Sequence, residues 1–275
     1  MLLTITLLVL IGGLSAIIGS IVGIGGGIII VPTMVYLGVE HGLLHNITTQ
    51  VAIGTSSVIL IVTGLSSSLG YLKTKQVDIK NGSIFLFGLL PGSLLGSFIS
   101  RYLTFESFNL YFGIFLIFVA ILLMVRNKIK PFKIFDKPKY EKTYVDAKGK
   151  TYHYSVPPLF AFVTTFLIGI LTGLFGIGGG ALMTPLMFIV FRFPPHVAVG
   201  TSMMMIFFSS VMSSIGHIAQ GHVAWGYAII LIISSYFGAK IGVKVNQSIK
   251  SDTVVTLLRT VMLLMGIYLI IRALI

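Results

Sequence analysis

Cysteine is absent from the 275 residues, which removes disulfides, thiolate metal ligands and cysteine nucleophiles. Carboxylates are nearly as scarce. Glu40, Asp78, Glu106, Asp136, Glu141, Asp146 and Asp252 are the full set, and each falls in a loop or at the end of an apolar stretch. No buried acid–base pair or nucleophilic triad can be assembled from them, and no ATP-binding motif is present, so enzyme chemistry is not expected. Nothing in the residue pattern asks for a cofactor or a resident metal. Charge of either sign is missing from two long stretches: residues 1–39 contain no Asp, Glu, Lys or Arg, and neither do residues 151–191. The first basic residue is Lys73, so the basic n-region of a cleavable signal peptide is lacking as well.

What is present defines the class. The chain is 56% hydrophobic and only 9% charged, with a mean hydropathy of +1.03, against roughly 25% charged residues in a soluble globular chain. This is the composition of an integral membrane protein whose first partner is the lipid bilayer. A net charge of +12 would point to nucleic acid in a soluble chain. Here the basic residues gather in one polar segment, 126–154, and in short loops, where they act as orientation signals, and no nucleic-acid partner is expected.

The sequence repeats itself. Gly23-Ile24-Gly25-Gly26-Gly27 returns 153 positions later as Gly176-Ile177-Gly178-Gly179-Gly180, and Pro32 and Pro185 each follow the isoleucine by eight residues. At an offset of 146, Val51-Ala52-Ile53-Gly54-Thr55-Ser56 pairs with Val197-Ala198-Val199-Gly200-Thr201-Ser202, and Gly92 and Gly96 pair with Gly238 and Gly242. Apolar stretches at 47–72, 83–100 and 108–125 are matched by 197–216, 223–243 and 254–271, each near the roughly 20 residues that cross a bilayer. Three units follow: a first membrane repeat 1–125, a basic linker 126–154 and a second membrane repeat 155–275.

Each glycine turn interrupts a helix at membrane depth. Residues 2–22 can form a full span, whereas residues 28–39 make only about 18 Å of helix at 1.5 Å per residue, so the pair predicts a hairpin that enters and returns. Two such hairpins, each followed by three spanning helices, make the halves inverted, with the linker on one side and both termini on the other. Charge agrees. With the linker in the cytoplasm, and with Lys240 and Arg259 near membrane ends left out of both tallies, inversion puts 15 basic residues inside and 2 outside, against 13 and 4 for parallel halves. The expected architecture is an all-α polytopic protein of the cell membrane with two inverted repeats.

Non-helical backbone at that depth survives only where protein buries it or a polar cavity solvates it. The glycines tolerate positive φ and allow close approach, and the helix that follows each turn points its unpaired N–H groups and positive dipole end inward. Gly25, Gly26 and Gly27, with Gly178, Gly179 and Gly180, thus form two candidate anion cradles, as broken helices do in secondary transporters. Thr55, Ser56, Thr201 and Ser202 could add hydroxyl donors, or could bond back to their own helices. Lys240 lies inside an apolar run; it contacts the anion or snorkels to the nearby membrane edge. The spacings Gly19–Gly23, Gly92–Gly96, Gly169–Gly173 and Gly238–Gly242 suit close helix packing. His217 and His222 flank a short loop, where a surface role outweighs metal binding, and Arg101, Arg192 and Arg259 anchor membrane ends. The glycine string is not a dinucleotide fingerprint, since Ile28 and Ala181 stand where its last glycine would be.

The paired glycine turns with Pro32 and Pro185, the Ala-x-Gly-Thr-Ser segments at 52–56 and 198–202, and the Gly-Ala-Lys-Ile-Gly run at 238–242 resemble the TauE/SafE family, the sulfite exporters. The resemblance spans nearly the whole chain apart from the linker. It implies transport of small sulfur-containing anions such as sulfite, thiosulfate or organosulfonates. Outward movement needs no coupling ion, because a negative cell interior drives an anion out by about 2.3 kcal/mol per charge and 100 mV. An uptake permease for an organic anion and an anion channel are the alternatives. The pattern departs from symmetry at Gln50, which pairs with His196, and in the linker.

The absence of cysteine makes the topology directly testable. Leu2→Cys and Leu274→Cys would each carry a lone thiol, and both are expected to react with a membrane-impermeant maleimide on intact cells. Protection of either from the outside would remove the inversion.

Overall fold

Hydrocarbon offers no partner for a peptide group, so apolar runs of this length fold as helices that satisfy their own backbone. The computed structural model describes residues 2–125, 141–145 and 151–274. The first half consists of α1 (Leu2–Val22), α2 (Gly27–Val35, continued by a π-helical turn Tyr36–Glu40), α3 (Thr49–Lys73), α4 (Ile79–Ile99) and α5 (Phe105–Val125). The second half repeats the plan with α6 (Pro158–Phe175), α7 (Gly180–Ile189), α8 (Pro195–Ala219), α9 (Trp225–Ser248) and α10 (Ser251–Leu274). Seven of these helices are long and apolar enough to cross a membrane. As expected, a full-length helix precedes each glycine turn and a short one follows it.

The ends are set by local chemistry. Thr48 Oγ1 accepts the Val51 N–H at 3.2 Å to start α3, and Asp78 Oδ1 accepts the Asn81 N–H at 3.1 Å to start α4. Pro158 and Pro195 open α6 and α8, where the missing N–H would be unpaired anyway.

The all-α expectation needs one amendment. Glu141–Val145 (β1) and Thr151–Ser155 (β2) pair as an antiparallel hairpin with Thr143 opposite His153. The rest of the linker, 126–140 and 146–150, lies outside the described residues. The linker's end docks: Tyr154 donates to Asp78 Oδ2 at 2.9 Å and packs on Phe193, ring centroids 4.3 Å apart.

Helix pairings obey an exchange rule. Swapping the first five helices for the last five turns the α1–α9 contact into α6–α4, the α3–α9 contact into α8–α4, and α2–α3 into α7–α8, and all of these occur. The α3–α8 and α5–α10 contacts map onto themselves. Glycine contacts supply the directions. Gly54 of α3 faces His217 and His222, Gly64 faces Phe207, and Gly200 of α8 faces Tyr71 and Gln76, so α3 and α8 run antiparallel. Between α4 and α6 the contacts advance together, Gly88 on Phe162, Gly92 on Phe166 and Gly96 on Ile170, so these two run parallel at backbone distance. Gly238 and Gly242 of α9 lie against Gly13 and Ile17 of α1 in the same manner.

Two faces result. On one, Gln247 Nε2 donates to Thr74 Oγ1 at 3.3 Å and Tyr154 reaches Asp78, which gathers the ends of α3 and α9, the start of α4 and the end of the linker. On the other, the His45 N–H donates to Tyr227 at 3.0 Å, Gln50 Nε2 to the Leu103 carbonyl at 2.7 Å, and Gln220 Nε2 to the Ser97 carbonyl at 2.9 Å. Arg272, near the end of α10, lies over the Tyr36 ring at 4.6 Å on that second face.

The parallel glycine seam predicts a steric phenotype. A Cβ at Gly169 would stand 2.5 Å from the Leu89 carbonyl oxygen and 2.9 Å from the Gly92 Cα. Gly169→Val is expected to lower the melting temperature in detergent by about 3–10 °C, an overpacking penalty of about 1–3 kcal/mol. Gly226→Ala, where a Cβ meets nothing within 4 Å, should leave it unchanged.

Candidate functional site

The two glycine turns end at each other. After α1, Gly23, Gly25 and Gly26 take φ of +79°, +79° and +90°, and the amides of Gly23, Ile24 and Gly25 all return to the Gly19 carbonyl at 2.9, 2.9 and 3.2 Å. After α6, Gly176, Gly178 and Gly179 take φ of +66°, +71° and +68°. A side chain is strained in this left-handed region, and Gly26 and Gly179 occupy it immediately before the short helices begin. A Cβ on Gly27 would stand 2.8 Å from both the Gly176 carbonyl oxygen and the Ile177 Cα, and one on Gly180 would stand 2.5 Å from the Gly23 carbonyl oxygen. The backbones therefore touch where the two broken helices meet, and both turns are buried.

Hydroxyls hold the carbonyls of the turns. Ser56 Oγ donates to the Gly176 carbonyl at 2.9 Å, Thr184 Oγ1 donates to the Gly23 carbonyl at 2.8 Å and pairs with Ser202 Oγ at 2.7 Å, and Ser209 Oγ reaches the Gly178 carbonyl at 3.3 Å. Neither α2 nor α7 has a side-chain cap on its N-terminus. The Gly23 and Gly176 carbonyls are thus occupied by protein hydroxyls and the Gly178 carbonyl by Ser209 and the Gly180 amide, the latter at 2.7 Å, while the remaining amides at the starts of the two short helices lie at the meeting point. Leu60 of α3 and Ile206 of α8, equivalent positions 146 apart, lie against Gly25 and Gly178 alike and enclose the turns in apolar surface.

Gly25, Gly26, Gly27, Gly178, Gly179 and Gly180 are brought together, and Ser56 and Ser202 stand beside them with their hydroxyls engaged. Thr55 and Thr201 sit elsewhere: Thr55 Oγ1 accepts the Ala224 N–H at 3.0 Å and Thr201 Oγ1 accepts the Asp78 N–H at 2.9 Å. They fasten the loop before α9 and the loop before α4 to the opposite half. Lys240 is not brought to the turns. Its side chain is exposed on α9 with Nζ 4.1 Å from the Tyr236 ring centroid, while α9 meets α1 through Gly238 and Gly242.

The surface role expected of His217 is corrected by the structure. It lies in the last turn of α8, fully buried, with Nε2 3.2 Å from the Gly173 carbonyl of α6. Its equivalent in the first half, Tyr71, donates to the Ser20 carbonyl of α1 at 2.8 Å. Each half therefore uses one polar side chain to grip the helix that precedes a glycine turn, and the 146-residue offset between Tyr71 and His217 was the available signal. His222, in the loop, has its ring centroid 6.3 Å from that of His217, and partial burial pulls its imidazole below the ordinary histidine range, favouring the neutral ring. Thr184 could not have been found by repetition, because its equivalent 153 residues earlier is Val31. Among the described residues no cluster of three or more His, Cys, Asp or Glu could hold a metal ion.

Known proteins match the chain over nearly its whole length. The family model described as sulfite exporter TauE/SafE matches residues 8–269. The chain is 43% identical over 264 residues to the probable membrane transporter protein YunE of Bacillus subtilis, covering 96% of each. It is 26% identical over 279 residues to a probable membrane transporter protein of Methanocaldococcus jannaschii, covering 98% of this chain and 96% of that one. Over 129 residues it is 29% identical to a sulfite exporter TauE/SafE family protein of Arabidopsis thaliana, a match to 45% of this chain and 30% of the plant protein. No solved structure matches.

Removing a hydroxyl from a turn strands a buried carbonyl. Ser56→Ala and Thr184→Val are each expected to destabilise the detergent-solubilised protein by about 1–3 kcal/mol, read as a lowered thermal midpoint. Substitutions that left the midpoint unchanged would show that the turns do not depend on these bonds.

Proposed function

Because the chain belongs to the sulfite exporter TauE/SafE family of membrane transporters, we propose that it carries small sulfur-containing anions, sulfite, thiosulfate or an organosulfonate, out of the cell. The two halves act as inverted repeats and expose the glycine turns to each side in turn. The carrying observation is the contact between the two turns, where two uncapped helix N-termini converge while hydroxyls occupy the carbonyls. Amide donors and positive dipole ends favour an anion without a fixed cation. That suits a carrier, which must release what it binds.

The antiparallel run of α3 and α8, which are equivalent helices, supports the inversion. Lys73, Lys75, Lys80, Arg192, Lys244 and Lys250 sit at helix ends on the linker face, against Arg101 and Arg272 on the other, which supports a cytoplasmic linker and both termini outside. Leu60 and Ile206 close the turns from both halves. Their displacement, together with a rocking of one half on the other, opens the anion's path. Export then runs down the membrane potential, worth about 2.3 kcal/mol per charge and 100 mV.

Proteoliposome flux tests this. Labelled sulfite should move saturably, exchange against unlabelled anion and accelerate when the potential favours exit from the linker side. A channel would show neither saturation nor exchange. Gly179→Ala is the diagnostic variant, since the nearest atoms to its Cβ are side-chain atoms of Thr172 and Leu89 at 3.2–3.5 Å. It is expected to fold yet reduce flux by about tenfold, some 1.4 kcal/mol. Normal flux in that variant would remove the glycine turns from the anion's path.

A further inference from the structure

Buried polar atoms are paired as a rule, and one run of them here is not. Ser210 Oγ, Ser214 Oγ and His217 Nδ1 are enclosed and have no hydrogen-bond partner among the described residues. Their spacing of four and three residues puts them on one face of α8. One end of the run touches a glycine turn, since a Cβ on Gly178 would lie 3.1 Å from Ser210 Oγ. The other end reaches the loop before α9, where Gln220 Oε1 and His222 Nδ1 are also buried and unpaired. Among the described residues of the first half only Ser66 Oγ is left in this way, and the equivalents of Ser210 and His217 are Gly64, which packs on the Phe207 backbone, and Tyr71, which donates its hydroxyl to Ser20.

The tautomer of His217 gives the run its chemistry. The Gly173 carbonyl can only accept, so Nε2 carries the hydrogen, and Nδ1 of the neutral ring presents a bare lone pair. Serine hydroxyls can donate. An oxyanion that keeps one proton satisfies both demands, with its charged oxygens on Ser210 and Ser214 and its own O–H on His217 Nδ1. A fully deprotonated dianion would set lone pair against lone pair. Among the described residues, Gly54 and Gly173, which meet His217 from α3 and α6, are uncharged, Ser97 of α4 meets the adjoining Gly216, and His222 is the one titratable side chain in ring contact.

We propose that Ser210, Ser214 and His217 form a binding station, on the α8–α9 loop side of the glycine turns, that takes the singly protonated form of a sulfur oxyanion in preference to a dianion or to an anion without an O–H. This rests on the function proposed above and adds which protonation state travels. The station lies on the face opposite the linker, so it is the last site before release in an exporter.

Methanesulfinate tests the point on the unmodified protein, because it has the charge of hydrogensulfite with a methyl group in place of the hydroxyl. Calorimetry on the purified full chain should find hydrogensulfite bound about tenfold or more tightly than methanesulfinate, with sulfate weaker still. His217→Tyr, which copies the residue of the other half, should bring hydrogensulfite and methanesulfinate within about twofold of each other. Equal affinities in the wild-type protein would overturn the station, as would an undiminished preference in a folded His217→Tyr. Should that variant not fold, the wild-type comparison decides alone. A folded wild-type protein that bound none of the three anions would overturn the station, and one that also bound neither thiosulfate nor an organosulfonate would remove the proposed function.

Discussion

Two interrupted helices meeting backbone to backbone inside the bilayer is the constraint from which the rest follows. A peptide group left unpaired in hydrocarbon costs several kcal/mol, so the turns can exist only where protein surrounds them. The surrounding is specific: Ser56, Thr184 and Ser209 take the carbonyls, and Leu60 with Ile206 covers the glycines. Glycine is required there twice over. The left-handed φ angles of Gly26 and Gly179 disfavour side chains, and the contacts of Gly27 with Gly176 and of Gly180 with Gly23 leave no room for a Cβ.

Duplication explains how such a centre is built from few parts. Each half supplies a long helix, a turn, a short helix and three further helices, and every major contact has its partner under exchange of the halves. Matched polar devices recur as well: Thr55 holds the loop before α9 as Thr201 holds the loop before α4, and Tyr71 grips α1 as His217 grips α6. The match fails at several positions. Thr184 stands against Val31, His217 against Tyr71, and Tyr154 of the linker covers the Asp78 loop on one face alone.

Much of this was legible before any coordinates. The repeat offsets, the hairpin lengths and the glycine turns are properties of composition and spacing, since a charge-free run must be helical in lipid and three glycines before a proline interrupt a helix. Assignments that depended on where a side chain points were less secure. Thr55 and Thr201 proved to be loop fasteners, Lys240 faces outward over Tyr236, and His217 faces inward although it sits near a span end. A residue's position along a span does not fix its angle around the helix, so a histidine beside a loop can face the core as readily as the surface.

The sequence by itself determined that this protein spans the membrane as two copies of one unit, each broken at a glycine turn, because hydrophobic run length and backbone freedom are local quantities. Only the tertiary structure decided that the two turns touch, which hydroxyls serve their carbonyls and which polar atoms remain unpaired. Those outcomes depend on residues more than 100 positions apart being pressed together, as Ser56 is to Gly176 and Thr184 to Gly23, and a pairing between distant helices leaves no periodic trace in either one.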